Sequence, residues 1–357
     1  MKIARELTAK KKLKPLFEDP LKLPFGRNFT DHMFTMEFTS AAGWQNPRIK
    51  PYQPLVLDPS ASVFHYGQEV FEGQKAYKSR KGEILMFRPR ENARRLNRSL
   101  HRLCMPEIPE DDILEAECEL LRVEERWIPD VKGASLYIRP TVIGTEAALG
   151  VKPSDQYLFY IILSPVGAYF KEGFNPVGLW VSETYSRAGS GGTGEAKTGG
   201  NYAGSMLATL EATQKGYSQV LWLDACEHRF VEEVGAMNIF FIVDGKLVTP
   251  ALGGTILRGI TRMSVLELAP TLGIQVEERR ISIDEVVAGI VSGKVSEVFG
   301  AGTAAVISPV GKIVFRGKDY VVNGNQTGPW AKKFFDTLTG IQYGELADKH
   351  GWVHIVK

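Results

Sequence analysis

The stretch Gly189-Ser-Gly-Gly-Thr-Gly-Glu-Ala-Lys-Thr-Gly-Gly-Asn-Tyr202 admits three readings, and each implies a different fold. Its first six residues fit G-x-G-x-x-G, the fingerprint of a dinucleotide-binding βαβ unit. That unit needs its first glycine directly off a strand, whereas residues 183–188 intervene here. It also needs an acid ~20 residues on, and Asp224 falls further away. Gly199 and Gly200 would break the helix whose start should meet the pyrophosphate. Residues 191–198 come within one position of a P-loop, but Ala196 stands where the second glycine lets the backbone wrap a phosphate. What survives is Lys197 between glycine-rich flanks. A lysine amine becomes a nucleophile or Schiff-base former when it is partly desolvated or held beside other cations. Taken alone, a solvated lysine in a flexible loop is the plainer reading.

The chain around this stretch is of ordinary globular composition. It has 357 residues, 44% hydrophobic and 24% charged, enough for two domains with sizeable cores, which excludes a disordered, collagenous or coiled-coil chain. Its 43 basic and 41 acidic residues leave a formal charge of +2, which gives no reason to expect nucleic acid as a partner. Cys104, Cys118 and Cys226 are too few and too scattered for a disulfide framework or a structural zinc site, so no metal is expected and a reducing compartment fits. No run reaches the ~18 apolar residues of a membrane helix, and the N-terminus carries no apolar targeting region, so a cytoplasmic location without membrane association is expected. The basic N-terminal stretch reads as a solvated tail.

Local patterns give an α+β fold. Strands are expected at 34–38, 62–71, 83–87, 135–143 and 157–163, and amphipathic helices at 92–103 and 111–125, where Leu96, Leu100 and Leu103 recur at helical spacing. The Gly- and Pro-containing run 170–176 separates these from a strand at 177–181. The domains are therefore placed at 1–170, a smaller α+β domain, and 183–357, a larger one carrying Lys197, joined by a linker at 171–182. In the second half, helices are expected at 202–213, 259–272 and 283–291, and strands at 219–223 and 237–243. Asp244-Gly245 then turns the chain into a hairpin with 246–248.

Further motifs favour a covalent role for Lys197. Glu233-Val-Gly-Ala-Met-Asn-Ile-Phe240, Leu247-Val-Thr249 and Leu257-Arg-Gly-Ile-Thr-Arg262 resemble the pattern of class IV pyridoxal-phosphate aminotransferases. FTDHM from Phe29, HYGQEVFEGQKAY from His65, FRPRENARRL from Phe87, LYIRP from Leu136, PVGAYF from Pro165, FGAGTAA from Phe299 and TGIQYG from Thr339 complete a resemblance to the branched-chain amino-acid aminotransferases, running from about Phe25 to Gly344. The fold implied is fold type IV, two α/β domains joined by a short loop. The activity implied is reversible amino transfer from L-leucine, L-isoleucine or L-valine to 2-oxoglutarate, with pyridoxal 5'-phosphate as cofactor.

The resemblance also assigns residues. Lys197 is the Schiff-base lysine and, once displaced by substrate, the general base and acid at the α-proton. Glu233 keeps the ring nitrogen protonated, and Tyr202 meets the phenolic oxygen. Arg95, Arg187, Thr303 and the amides of Ile260 and Thr261 make the phosphate cradle, with Leu257 and Gly259 completing the cofactor set. Phe25, Tyr66, Phe71, Tyr137 and Tyr169 line the substrate pocket, with the Tyr66 hydroxyl and the Ala304 amide at the α-carboxylate. Arg139 accepts the second carboxylate of glutamate. Leu149 and Val151 match residues inserted by a neighbouring subunit, so a homodimer is expected. Two departures stand out: Ala305 and Ser308 replace the C-x-x-C pair of the animal enzymes, and Ala236 replaces a threonine found in part of the family. A D-amino-acid transaminase or aminodeoxychorismate lyase of the same fold is the alternative, and a nicotinamide-dependent oxidoreductase using residues 189–194 a more remote one.

Overall fold

A computed structural model describes residues 1–167 and 174–357, which cluster into two compact units. The first comprises Met1–Tyr169, Ala196–Gly199 and Gly340–Lys357; the second comprises Phe170–Glu195 and Gly200–Thr339. The segment that holds Lys197 thus groups with the first unit, as does the C-terminal end. The reasons are local hydrogen bonds from 197–199 to Glu69, Phe71 and Ser99, and a C-terminal strand, Val353–Val356, that pairs with Ile84–Phe87.

The first unit contains strands β1 (Ala4–Arg5), β2 (His32–Thr39), β3 (Gly43–Pro51), β4 (Glu69–Phe71), β5 (Gln74–Lys78), β6 (Ile84–Phe87), β7 (Ser135–Gly144) and β8 (Gln156–Val166). With the C-terminal strand they form one sheet in the order β1-β3-β2-β8-β7-β5-β6-C-terminal strand, with β4 also on β7. Helices α1 (Ser62–Tyr66), α2 (Pro89–Arg102) and α3 (Glu110–Val123) complete the unit. Pro89 opens α2 at a position where its missing N–H costs nothing, and Ala93, Leu96 and Leu100 recur on one buried face. They join Ile113, Leu120 and Leu121 of α3 and Leu136, Ile138 and Val142 of β7 in one apolar cluster. Alternation along β7 then turns Tyr137, Arg139 and Thr141 to the opposite face of the sheet, across from Ser164, Ile162 and Tyr160 of β8. This face presents the Tyr137 hydroxyl and the Arg139 guanidinium.

The second unit contains β9 (Val177–Val181), β10 (Gln219–Leu223), β11 (Val231–Val234), β12 (Met237–Val243), β13 (Lys246–Thr249), β14 (Val276–Glu278), β15 (Val295–Gly302), β16 (Val306–Phe315) and β17 (Lys318–Val321). The order β11-β10-β9-β16-β15-β12 closes on itself because β11 also pairs with β12, so six strands form a ring without free edges. Helices α4 (Gly199–Gly204), α5 (Met206–Gln214), α6 (Ile260–Leu268), α7 (Ile283–Ser292) and α8 (Pro329–Gln342) follow in chain order. The β12–β13 hairpin turns on Asp244 and Gly245, both at positive φ (48° and 76°), as that dipeptide predicts. Helix α7 is capped by Ser282, whose side chain accepts from the Glu285 N–H, and ends at Gly293, at φ 79°.

The α+β class and most expected elements stand. Three expectations are corrected. The run 62–71 folds as α1 followed by β4, because Gly67 at φ 61° ends the helix before the strand begins. The helix expected at 202–213 is two helices with Ser205 between them, and Gly199 and Gly200 open the first instead of breaking it. The helix expected at 259–272 stops at Leu268, and Pro270 starts a separate 3-10 turn.

One buried acid makes the first unit sensitive to pH. Burial, reinforced by the Glu72 carboxylate, pushes Glu117 well above the ordinary 4.5, against the hydrogen bond it takes from Gln74. The native chain then keeps a proton that the unfolded chain releases, so Glu117 lowers stability as pH rises above 4.5. Glu117→Gln removes that loss: in denaturant unfolding, the variant should gain stability relative to the parent between about pH 5 and pH 8. An offset that stays constant across this range would refute the protonated assignment.

Candidate active site

In the first unit, hydrogen bonds hold the main chain around Lys197 to the sheet and to α2. The Lys197 N–H donates to Ser99 Oγ (2.9 Å), and its carbonyl accepts from the Phe71 N–H (3.0 Å). Thr198 Oγ1 donates to the Glu69 carbonyl and the Gly199 N–H to Glu69 Oε2, each at 2.7 Å. The Lys197 amine then stands 4.8 Å from the centre of the Phe71 ring, and the Arg139 guanidinium is 4.7 Å from the same centre. Arg139 donates to the Tyr137 hydroxyl (3.0 Å), and Phe25 meets Tyr137 edge-on at 4.9 Å. Arg139 Nε and Ser164 Oγ are buried without a hydrogen-bond partner among the described residues, so this face still has polar capacity. Tyr66 donates to the Leu149 carbonyl, and Leu149 and Val151 are 65% and 87% exposed.

Arg95, expected at the phosphate, is buried with both Nε and an Nη bonded to Glu72 (2.7 and 2.9 Å). Asn92 Nδ2 and the Gly73 N–H complete the shell of Glu72 (2.8 and 3.0 Å). Burial alone would raise the pKa of Glu72; the Arg95 charge and hydrogen bond, with smaller help from Lys197 and Asn92, bring it below its ordinary value. Burial has the upper hand at Glu69 and raises it, against the Gly199 N–H and the charges of Arg139 and Lys197.

In the second unit the centre is Glu233, 2% exposed and opposite Asn238 on neighbouring strands. Gly235 lets the chain reverse so tightly, at φ 54° in the two-residue turn between β11 and β12, where a Cβ would fall on the Gln219 side chain. Arg187 Nε meets Glu233 Oε2 at 2.5 Å, while Asn238 Nδ2 (2.9 Å) and the Leu257 N–H (3.2 Å) donate to Oε1. The remaining Arg187 donors reach the carbonyls of Thr255 (2.7 Å) and Gly194 (3.3 Å). Arg187, expected at the phosphate, also pairs with Glu233. Asn238 also bonds the Leu257 carbonyl, and a Cβ at Gly259 would fall on Asn238 Oδ1. Helix α6 therefore starts at a bare glycine without a side-chain cap, with the buried Ile260 and Thr261 in its first turn.

Thr303 and Ala304 lie in the turn between β15 and β16, followed by Val306 at φ 61°, a conformation that costs a β-branched residue ~1–3 kcal/mol. Tyr202 lies in α4, beside Asn201, which ties down the glycine-rich loop through Thr193 (2.7 and 2.8 Å). Ala236 is exposed at its turn. Tyr169 lies outside the described residues. Sequence reasoning missed Glu69, Glu72, Asn92, Ser99 and Asn238. The legible signal was on α2, where Asn92, Arg95 and Ser99 interrupt the apolar positions of an amphipathic helix at one-face spacing.

Residues 69–313 match the family of class IV amino-transferases. The chain is 54% identical over 347 residues to branched-chain-amino-acid aminotransferase 2 of Bacillus subtilis (strain 168), covering 97% of this chain and 95% of that one. It is similar to the crystal structure of the Escherichia coli branched-chain amino acid aminotransferase, at a TM-score of 0.78 and 30% identity, over 92% of this chain and 99% of that one. It is also similar to the branched-chain amino acid aminotransferase of Thermobaculum terrenum in its PLP-bound holo form, at 0.73 and 25%, over 92% and 98%. The chain belongs to the class IV aminotransferases and, among them, to the branched-chain amino-acid aminotransferases. Among the described residues no group of side chains could hold a metal ion, and no helix is long and apolar enough to cross a membrane.

The Arg187–Glu233 pair gives a stability test. Arg187→Met leaves a buried carboxylate short of its cation and should destabilise the second unit by ~3–5 kcal/mol in denaturant unfolding, whereas Arg187→Met with Glu233→Gln should recover most of that loss. A single variant no worse than the double would show that the pair carries no such constraint.

Proposed function

We propose that this chain is a branched-chain L-amino-acid transaminase that moves the amino group of L-leucine, L-isoleucine or L-valine reversibly to 2-oxoglutarate, giving the branched 2-oxo acid and L-glutamate. The observation that carries this reading is the fixed main chain of Lys197, with its amine over the Phe71 ring on a face that also presents the Arg139 guanidinium. Pyridoxal 5'-phosphate is the cofactor, and when bound it supplies an electron sink for the pair left at the substrate Cα.

The donor set suits that group. Lys197 is its covalent anchor, Glu233 the partner of its ring nitrogen, and Tyr202 the partner of its phenolic oxygen. Arg187 acts through Glu233, keeping a cation beside the buried carboxylate. Arg95, Arg187, Thr303 and the amides of Ile260 and Thr261 are the phosphate donors, and the uncapped start of α6 favours a dianion there. Leu257 and Gly259 complete the seat. Lys197 Nζ takes the proton from the substrate Cα as a general base and, as a general acid, would deliver it to the cofactor's C4′.

The apolar side chain packs on Phe25, Phe71, Tyr137 and Tyr169, the α-carboxylate meets the Tyr66 hydroxyl and the Ala304 amide, and Arg139 receives the distal carboxylate of glutamate. Arg139 Nε, buried without a hydrogen-bond partner among the described residues, supports that last role. The exposed Leu149 and Val151 support a homodimer in which each copy lends these residues to the other. Three cysteines outside any disulfide accord with work in the cytoplasm.

The first test is absorbance of the purified protein in the near ultraviolet and visible. A cofactor band that L-leucine shifts and a branched 2-oxo acid restores is expected, and a band that answers only to D-alanine would overturn the substrate class. Glu233→Gln should lose far more turnover than cofactor affinity, because its charge acts mainly in the transition state. A loss confined to cofactor affinity would remove it from the ring nitrogen.

A further inference from the structure

Helix α2 buries three polar residues on one face, Asn92 (3% exposed), Arg95 (4%) and Ser99 (0%), between the apolar positions Ala93, Leu96 and Leu100. Buried polar groups are costly unless bonded, so each must have a use. Asn92 and Arg95 both serve Glu72. Ser99 bonds main-chain groups instead. Its hydroxyl donates to the Arg95 carbonyl one turn back (3.0 Å), which orients it, and accepts the N–H of Lys197 (2.9 Å). Lys197 lies in a segment flanked by Gly192, Gly194, Gly199 and Gly200, and such a segment has little stiffness of its own. Its position is set by the bonds it makes, and the main chain of Lys197 is bonded to Ser99 and to Phe71.

We propose that Ser99 is a positioning residue for Lys197, fixing the main chain so that the lysine amine stands where it can bond the cofactor. This rests on the reading of Lys197 as the covalent anchor. In this role Ser99 acts through the main chain of Lys197, not on cofactor or substrate. Its loss therefore weakens the covalent attachment and spares the hold that other residues keep on the phosphate and the ring.

The test compares two cofactor forms on the full-length protein stripped of cofactor. Pyridoxal 5'-phosphate carries the aldehyde that Lys197 bonds, and pyridoxamine 5'-phosphate does not; tryptophan fluorescence quenching reads the affinity of both. Ser99→Ala should weaken the aldehyde form roughly tenfold, the scale of one lost buried hydrogen bond, and leave the amine form within about twofold. The pH at which the visible cofactor band interconverts should also shift in Ser99→Ala, and Ser99→Thr, which keeps the acceptor, should restore it. Ser99→Cys, close to serine in size but a poorer acceptor, should give a milder version of the same split and serves if the alanine variant does not fold. Equal weakening of both forms, or of neither, overturns the proposal. Lys197→Ala should abolish the preference for the aldehyde form; if it does not, the reading of Lys197 falls and this inference with it.

Discussion

A carboxylate taken out of water needs a cation and a full set of hydrogen bonds, and this requirement organises both units. Glu72 is held by Arg95, Asn92 and the Gly73 N–H; Glu233 is held by Arg187, Asn238 and the Leu257 N–H. Each arrangement fixes elements far apart in sequence. Around Glu72, α2 is tied to the stretch between β4 and β5. Around Glu233, the β11–β12 turn is tied to the segment that leads into α6. Such pairs add little net stability over an apolar core, but once formed they tolerate few alternatives, because losing either partner strands a buried charge. Of the residues assigned to the cofactor, Arg95, Arg187, Glu233 and Leu257 belong to these two arrangements.

Strand alternation does the sorting in the first unit. On β7, Leu136, Ile138 and Val142 go to the core with α2 and α3, so Tyr137 and Arg139 must go to the other face. Phe71 arrives there from β4, and its N–H secures the carbonyl of Lys197. In the second unit the same alternation sends Met237, Ile239 and Phe241 into the apolar cluster and leaves Asn238 facing the way of Glu233. A one-residue slip in either strand would exchange core for chemistry.

Much of this was legible in the chain. Periodicity located α2, α3, α7 and most strands, because a helix or strand with one buried face must repeat its apolar residues at its own period. Short elements escaped: α1 is only five residues long, and its β-rich composition reads as strand until Gly67 is seen at positive φ. The lysine, the carboxylate and the aromatic wall were named from motifs. Their supporting shell was not, since Ser99, Glu72 and Asn238 are ordinary polar residues until their partners are known.

By itself, then, the sequence determined the α+β class, the core positions and the hairpin at Asp244-Gly245, because those follow from local spacing and residue type, while its motifs, through the family resemblance, pointed to the side chains proposed for the chemistry. Only the tertiary structure decided that Arg187 sits on Glu233, that Arg95 is paired with Glu72, and that residues 196–199 group with the first unit while the chain on either side of them groups with the second. Those outcomes depend on contacts between residues tens to more than a hundred positions apart, such as Ser99 with Lys197. No local pattern encodes which of many buried acceptors a given donor will meet.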